Sequence, residues 1–177
     1  MSLRDIVLYP SDVLSTKAAA VDVVDDDVRQ LIDDMVETMY DAPGIGLAAP
    51  QVNVLKRITV IDASGAEEPS DLKIFVNPQI VHREGKIIWE EGCLSIPGVY
   101  EKVHRANTVV VQALDRDGKE FELEATELLA VALQHEIDHL DGIVFFDRVS
   151  PLKRRMLTKK YKKILLNMER EAQDALS

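Results

Sequence analysis

His135-Glu136-Ile137-Asp138-His139 is the stretch of this sequence richest in reactive side chains. On a helix, positions i and i+4 stack on one face, so two imidazoles four apart can share one metal ion while the carboxylate between them reaches a water on that ion. That geometry supports hydrolysis. Two plain core histidines are the alternative, but burying two His, a Glu and an Asp without a partner is costly. A catalytic metal usually takes three protein ligands and keeps one position open, so another donor is needed. The spacing HExxHxxGxxH does not supply it: Gly142 fits, but Phe145 stands at the third histidine position. Glu169, in an exposed-looking helix, is conceivable. Cys93 is the better candidate, because it follows a strand-like run in Glu91-Gly92-Cys93-Leu94-Ser95, Gly92 admits close backbone approach, and a thiolate is a strong soft ligand. Taken alone, a lone cysteine is more often a small buried apolar residue.

The loop Gly44-Ile45-Gly46-Leu47-Ala48-Ala49-Pro50-Gln51 satisfies the dinucleotide pattern G-x-G-x-x-G/A, but that pattern needs a strand before it and a helix after it. Here a helical period precedes it and Pro50 closes it. The better account is a main chain free to run beside a bound substrate, with Gln51 as an amide donor to an oxyanion. A plain tight turn is the simpler alternative.

The elements that must hold these groups follow from period and punctuation. Residues 1–24 are turn-rich, and packing is their expected role. Val28, Leu31, Ile32, Met35, Val36 and Met39 recur at three and four residues behind Asp25, Asp26 and Asp27, which predicts an amphipathic helix stopping before Pro43. Strands are expected at 57–62, at 72–76 before the Asn77-Pro78 break, and at 86–89, with 64–71 a polar loop. Runs 108–114 and 120–123 flank Asp115-Arg116-Asp117-Gly118 and predict an antiparallel hairpin. Thr126 is expected to cap a helix to about Leu140 with Gly142 as its left-handed stop, and apolar residues around most of its circumference predict burial. Ser150-Pro151 opens a last helix, with Leu152, Met156, Leu157, Tyr161, Ile164, Leu165 and Met168 expected on its inner face. This order predicts an α+β fold, antiparallel or mixed sheets around a buried helix carrying HExxH, rather than a doubly wound parallel sheet.

At 177 residues, 46% hydrophobic and 29% charged, the chain suits one domain over 1–177. A net charge of -10 argues against a whole-protein clamp on DNA or RNA. A single cysteine cannot form an intrachain disulfide, no apolar run approaches a membrane span, and Asp5 interrupts the start where a secretion signal needs an apolar stretch. The expected compartment is the cytoplasm, with no membrane partner. Charge is uneven: residues 150–177 hold 8 of the 21 basic and 3 of the 31 acidic residues, which makes this tail +5 and the remainder -15. Lys153, Arg154, Arg155, Lys159, Lys160, Lys162 and Lys163 can meet ribosomal RNA, or form a solvated outer face.

Together the three segments resemble peptide deformylase, whose motifs have the form GxGxAAxQ, EGCxS and HExxH, and they stand in the family's order. Tyr9-Pro10 and Phe75-Val76-Asn77-Pro78 look like family segments too, and the spacing and long C-terminal helix look like the bacterial type 1 subgroup. The resemblance implies removal of the formyl group from formylmethionyl peptides of nascent proteins, with release of formate. It implies one divalent metal on Cys93, His135 and His139, Fe2+ in the cell, with Ni2+, Co2+ or Zn2+ in purified protein. Glu136 would be general base and acid, and Gln51 with the main-chain N–H of Leu94 would hold the oxyanion. The family's methionine pocket would here be Ile45, Trp89, Leu128, Val131 and Ala132, with Gly44, Gly46 and Gly92 along the peptide backbone and Glu91 in the same wall. Glu91, Asp138 and Arg105 would support the ligands, or be a surface acid and an ion pair. Tyr100 stands where some members carry Arg, and Pro43 stiffens the approach to the first motif. A general metallopeptidase and a silent metal- or ribosome-binding module are the rival readings; the intact Glu136 and Leu94 argue against the silent one.

Overall fold

The computed structural model describes residues 2–65 and 70–176; part of the expected polar loop at 64–71, and both end residues of the chain, lie outside them. Helix α1 (Asp26–Asp41) begins where the acidic run places it: Asp25 accepts the Val28 N–H at 2.9 Å, and Asp26 and Asp27 face the positive end of the helix dipole. Beyond it the expected loop contains a short strand, β1 (Gly46–Ala48), and a 3-10 turn at Ala49–Val52 that carries Gln51. Strands β2 (Ile58–Asp62) and β3 (Leu72–Glu84) follow. The predicted break at Asn77-Pro78 is a bulge rather than an end. Pro78 has no N–H for the ladder, so the register slips between Val76 and Gln79 while the strand continues. Asn77 takes φ 52°, and its side chain accepts the Val21 N–H at 2.8 Å and donates to the Val21 carbonyl at 2.9 Å.

The strand expected at 86–89 extends as β4 (Ile87–Cys93) and pairs with β5 (Ile96–Arg105), which the sequence reading missed. Pro97, Gly98 and the charged residues of β5 hide its alternation, yet Ile96, Val99, Val103 and Arg105 are the buried positions. The hairpin is as expected: β6 (Thr108–Leu114) and β7 (Glu120–Thr126) pair in register from Thr108 with Thr126 to Leu114 with Glu120. The antiparallel strands form a five-stranded sheet in the order β1-β2-β3-β6-β7, with β4-β5 as a separate ribbon.

Helix α2 (Glu127–Leu140) buries every residue from Ala130 to Leu140. Thr126 occupies the N-cap position but its side chain makes no cap bond; the Glu127 N–H is bonded instead to the Asn107 carbonyl at 3.1 Å. At the other end, Gly142 takes φ 76°, and Arg57 donates to the Leu140 carbonyl at 2.9 Å while pairing with Asp141 at 3.0 Å. All five residues of β2 are buried because the sheet is covered on both sides: Ile58 and Val60 join the α1 cluster, Ile61 the α2 cluster. A third cluster joins β5, a 3-10 turn at Phe145–Arg148 and helix α3 (Pro151–Leu176).

Only Leu157 and Tyr161 of α3 are buried, with Ile164 and Leu165 partly so. Leu152, Met156 and Met168, expected inside, are exposed: the first two lie round the helix from the stripe of Leu157, Tyr161, Ile164 and Leu165, and Met168 lies on that stripe but past the body it packs on. Among the described residues no helix is long and apolar enough to cross a membrane.

Candidate active site

Three elements converge on one point. Cys93 closes β4, where the register shift after Glu91 turns the strand end inward, and α2 presents His135 and His139 on one face with ring centroids 5.0 Å apart. Cys93 Sγ lies 3.3 Å from His139 Nε2, and one ligand atom from each of Cys93, His135 and His139 falls within 4.8 Å of the others. Bonds of about 2.3 Å to sulfur and 2.0 Å to nitrogen at a tetrahedral angle span an edge of about 3.6 Å, so this spacing suits one divalent ion. One thiolate and two imidazoles are also the donor set for such an ion with a position left open. His139 Nδ1 is buried with no hydrogen-bond partner among the described residues.

His135 is oriented from behind. Its Nδ1 pairs with Glu91 Oε1 at 2.9 Å, leaving Nε2 toward the ligand cluster. Arg105 grips both oxygens of Glu91 at 2.8 and 2.9 Å and reaches Asp138 at 2.7 Å; Arg148 then binds Asp138 through two nitrogens at 2.7 and 3.0 Å. Glu91, Asp138 and Arg105 are therefore a buried chain of alternating charge behind a ligand, not a surface acid and an ion pair. Burial alone would raise the Glu91 carboxyl, but hydrogen bonds from Arg105 and His135 outweigh it and hold the group down to about 2. Burial pushes Glu136 the other way, up to about 7, with the charges of Glu91 and Asp138 adding to the effect. Burial also lowers His139, which keeps the ring neutral and fit to ligate.

Gln51 is buried, its Oε1 accepting the Ala48 N–H at 2.9 Å. That contact fixes the amide so that Nε2 points to Ser95 Oγ at 3.1 Å and toward Cys93 Sγ at 3.5 Å.

A cavity of about 630 Å³ opens over these groups. Gly44, Ile45, Gly46, Gln51, Trp89, Glu91, Gly92, Cys93, Leu94, Leu128, Val131, Ala132, His135 and Glu136 all line it, so the sequence candidates other than His139 meet in one wall. The protein itself crowds each of these glycines. A Cβ on Gly46 would lie 2.8 Å from Glu136 Oε1, one on Gly44 would lie 2.7 Å from the Leu94 side chain, and one on Gly92 would lie 2.5 Å from the Tyr100 ring. Sequence reasoning missed Ile6, which also lines the cavity although residues 1–24 were expected only to pack, and Pro97 and Gly98 from the unrecognised β5. No local pattern marks Ile6; its place depends on contacts with Gln51 and Ser95, far away in sequence.

A family model for polypeptide deformylase matches residues 3–155. The chain is 54% identical over 162 residues to a peptide deformylase of Thermodesulfovibrio yellowstonii, covering 92% of this chain and 98% of that protein. It is 52% identical to one from Chromobacterium violaceum, over 92% of this chain and 96% of that one. Among solved structures, a peptide deformylase from Legionella pneumophila superposes with a TM-score of 0.90 at 47% identity, covering 96% of this chain and 99% of that one. One from Ehrlichia chaffeensis in complex with actinonin gives 0.85 at 42% identity, over 92% and 98% of the two chains.

Proposed function

The chain belongs to the polypeptide deformylase family, and from that premise we propose how its residues divide the work. Its activity is the metal-dependent hydrolysis of the N-terminal formyl group of formylmethionyl peptides, which releases formate and a free amine. The observation that carries the division of roles is the convergence of Cys93, His135 and His139 beside Glu136 and Gln51 at the floor of one cavity.

Cys93, His135 and His139 hold the metal, which when bound supplies Lewis acidity and a water that ionises near neutral pH. Glu136 takes a proton from the attacking water and returns it to the leaving nitrogen as the carbon–nitrogen bond breaks; its buried carboxyl suits both directions. The formyl oxygen becomes negative during attack, and Gln51 Nε2 with the main-chain N–H of Leu94 stabilises it. Val131 and Ala132, one helical turn before His135, and Leu128, two turns before it, form with Ile45 and Trp89 the apolar pocket for the methionine side chain. Gly44, Gly46, Glu91 and Gly92 complete the walls along the peptide.

Fe2+ is the metal we assign in the cell, with Zn2+, Ni2+ or Co2+ in purified protein, and the cytoplasm is the compartment where nascent formylated chains occur. Formate release from a formyl-Met peptide, with elemental analysis of the same sample prepared without oxygen, tests the activity and the metal. Turnover that disappears with a chelator and returns with Fe2+ is expected; cleavage of internal bonds in an unformylated peptide would favour a general metallopeptidase instead.

We further propose that α3 meets the ribosome. Lys153 and Arg154 pair with Glu101 and Asp147, whereas Arg155, Lys159, Lys160, Lys162 and Lys163 form no ion pair among the described residues. Because Tyr161 belongs to the core, charge reversal is a better probe than deletion. Lys159→Glu, Lys160→Glu, Lys162→Glu and Lys163→Glu combined should lower ribosome co-sedimentation at least about tenfold at low salt, as expected of phosphate contacts. Equal pelleting of variant and parent returns this face to simple solvation.

A further inference from the structure

The N-terminal residues pass directly behind the two segments that hold the negatively charged oxygen. The Val7 N–H donates to the Gln51 carbonyl at 2.7 Å, and the Tyr9 N–H donates to the Ser95 carbonyl at 2.9 Å. Ile6, beside the first of these bonds, reaches the cavity wall. Gln51 and Ser95 are 44 residues apart and belong to different segments, and the one direct tie between them is the side-chain bond from Gln51 Nε2 to Ser95 Oγ at 3.1 Å, so their backbones are spaced by the segment that bonds to both carbonyls.

Both ends of this segment are tied down. Upstream, Asp34 of α1 accepts the Ser2 N–H at 2.8 Å and Arg4 Nε at 3.0 Å, and Thr38 Oγ1 accepts the Arg4 N–H at 3.0 Å. Asp34 is 3% exposed, a placement for a carboxylate that holds only with such partners. Downstream, the Tyr161 hydroxyl donates to the Tyr9 carbonyl at 2.8 Å, and the Tyr9 ring meets Phe146 edge-on at 5.6 Å between centroids.

We propose that residues 2–9 act as a strap that fixes the spacing between the Gln51 and Leu94 donors, with the N–H groups of Val7 and Tyr9 as its contacts and Asp34 as a positioning residue at its anchor. This rests on the reading of Gln51 and Leu94 given above. One N–H of the Gln51 amide is held by Ser95 Oγ, and the other faces the sulfur side, where the oxygen arrives. Such donors act only where they already sit, and displacement by about 1 Å costs up to roughly a hundredfold in rate. The substrate is gripped elsewhere, by the methionine pocket and β1. Loosening the strap therefore weakens stabilisation of the developing charge and leaves ground-state binding in place.

The test measures formate release from a formyl-Met peptide, with metal content and melting temperature on the same samples. Val7→Pro removes the N–H accepted by Gln51; Asp34→Ala and Arg4→Ala release the anchor, the latter at a side chain already partly exposed. A fall in kcat of about tenfold or more for Val7→Pro and Asp34→Ala is expected, and a smaller one for Arg4→Ala, with KM within about twofold and metal content unchanged. Asn77→Ala, which frees Val21 from β3, serves as the control: it lowers the melting temperature and keeps kcat. Folded, metal-loaded strap variants with parental kcat overturn the proposal, as does an equal loss of kcat in Asn77→Ala. If Val7→Pro or Asp34→Ala does not fold, Arg4→Ala decides in the same way. A parent protein that releases no formate overturns the underlying assignment instead.

Discussion

Glu136→Ala is expected to retain one metal per chain and to lose formate release by about a thousandfold or more, the upper part of the range for removing a general acid and base. The reasoning is geometric. Glu136 Oε1 lies 3.9 Å from His135 Nε2, beside the ligand cluster but outside it, and Oε2 is buried with no partner among the described residues. Its removal leaves Cys93, His135 and His139 in place and eliminates a buried carboxylate of the cavity that, unlike Glu91, no arginine holds. Glu136→Gln, which keeps the shape and removes proton transfer, should fall equally far. Retention of more than about a tenth of the parental rate in either variant, with full metal content, would exclude Glu136 as the proton carrier.

The second large effect concerns the sulfur. Cys93→Ala should carry less than about a tenth of the parental metal after gel filtration, and its affinity should fall by more than the roughly 10- to 100-fold typical of losing a group behind a ligand. The two rings that remain lie on one helix face and supply only two of the three donors. Metal bound to the native state alone adds stability, so a chelator should lower the melting temperature of the parent to that of Cys93→Ala and leave the variant unmoved. The half-buried thiol otherwise fills little core volume, so a melting temperature of Cys93→Ala well below that of the chelated parent would count against this account. Unchanged metal content in Cys93→Ala would move the third ligand elsewhere.

Where the sequence was informative, a short-range rule applied. The i, i+4 spacing of His135 and His139 needs only a helix, and burial of α2 follows from its nearly complete apolar circumference. Elimination among residue types leads to Cys93, which the fold brings to the two rings, and stepping back one and two turns from His135 leads to Val131, Ala132 and Leu128, which line the cavity. Long-range pairings were not legible. Arg105 reaches Glu91 across 14 residues by the pairing of β4 with β5 and Asp138 across 33 by the placing of α2 against that ribbon, and β5 itself was hidden by Pro97, Gly98 and its charges. The expected inner face of α3 was too wide at Leu152 and Met156 and too long at Met168: an apolar residue near the stripe need not lie on it, and periodicity does not show how far the body beneath the helix extends. Ile6 and the strap could not have been read at all, since nothing in residues 2–9 announces contact with residues 51 and 95.

The crowding between position 46 and Glu136 bears on inhibitor resistance. Any side chain at 46 would press on the buried carboxylate that moves the proton, with heavy atoms at 2.8 to 3.1 Å from the new carbon. A drug that draws its affinity from the bare edge of Gly46 would thus lean on a spot the organism cannot alter cheaply, and escape mutations should gather instead at the half-open rim, at Ile45 and Trp89.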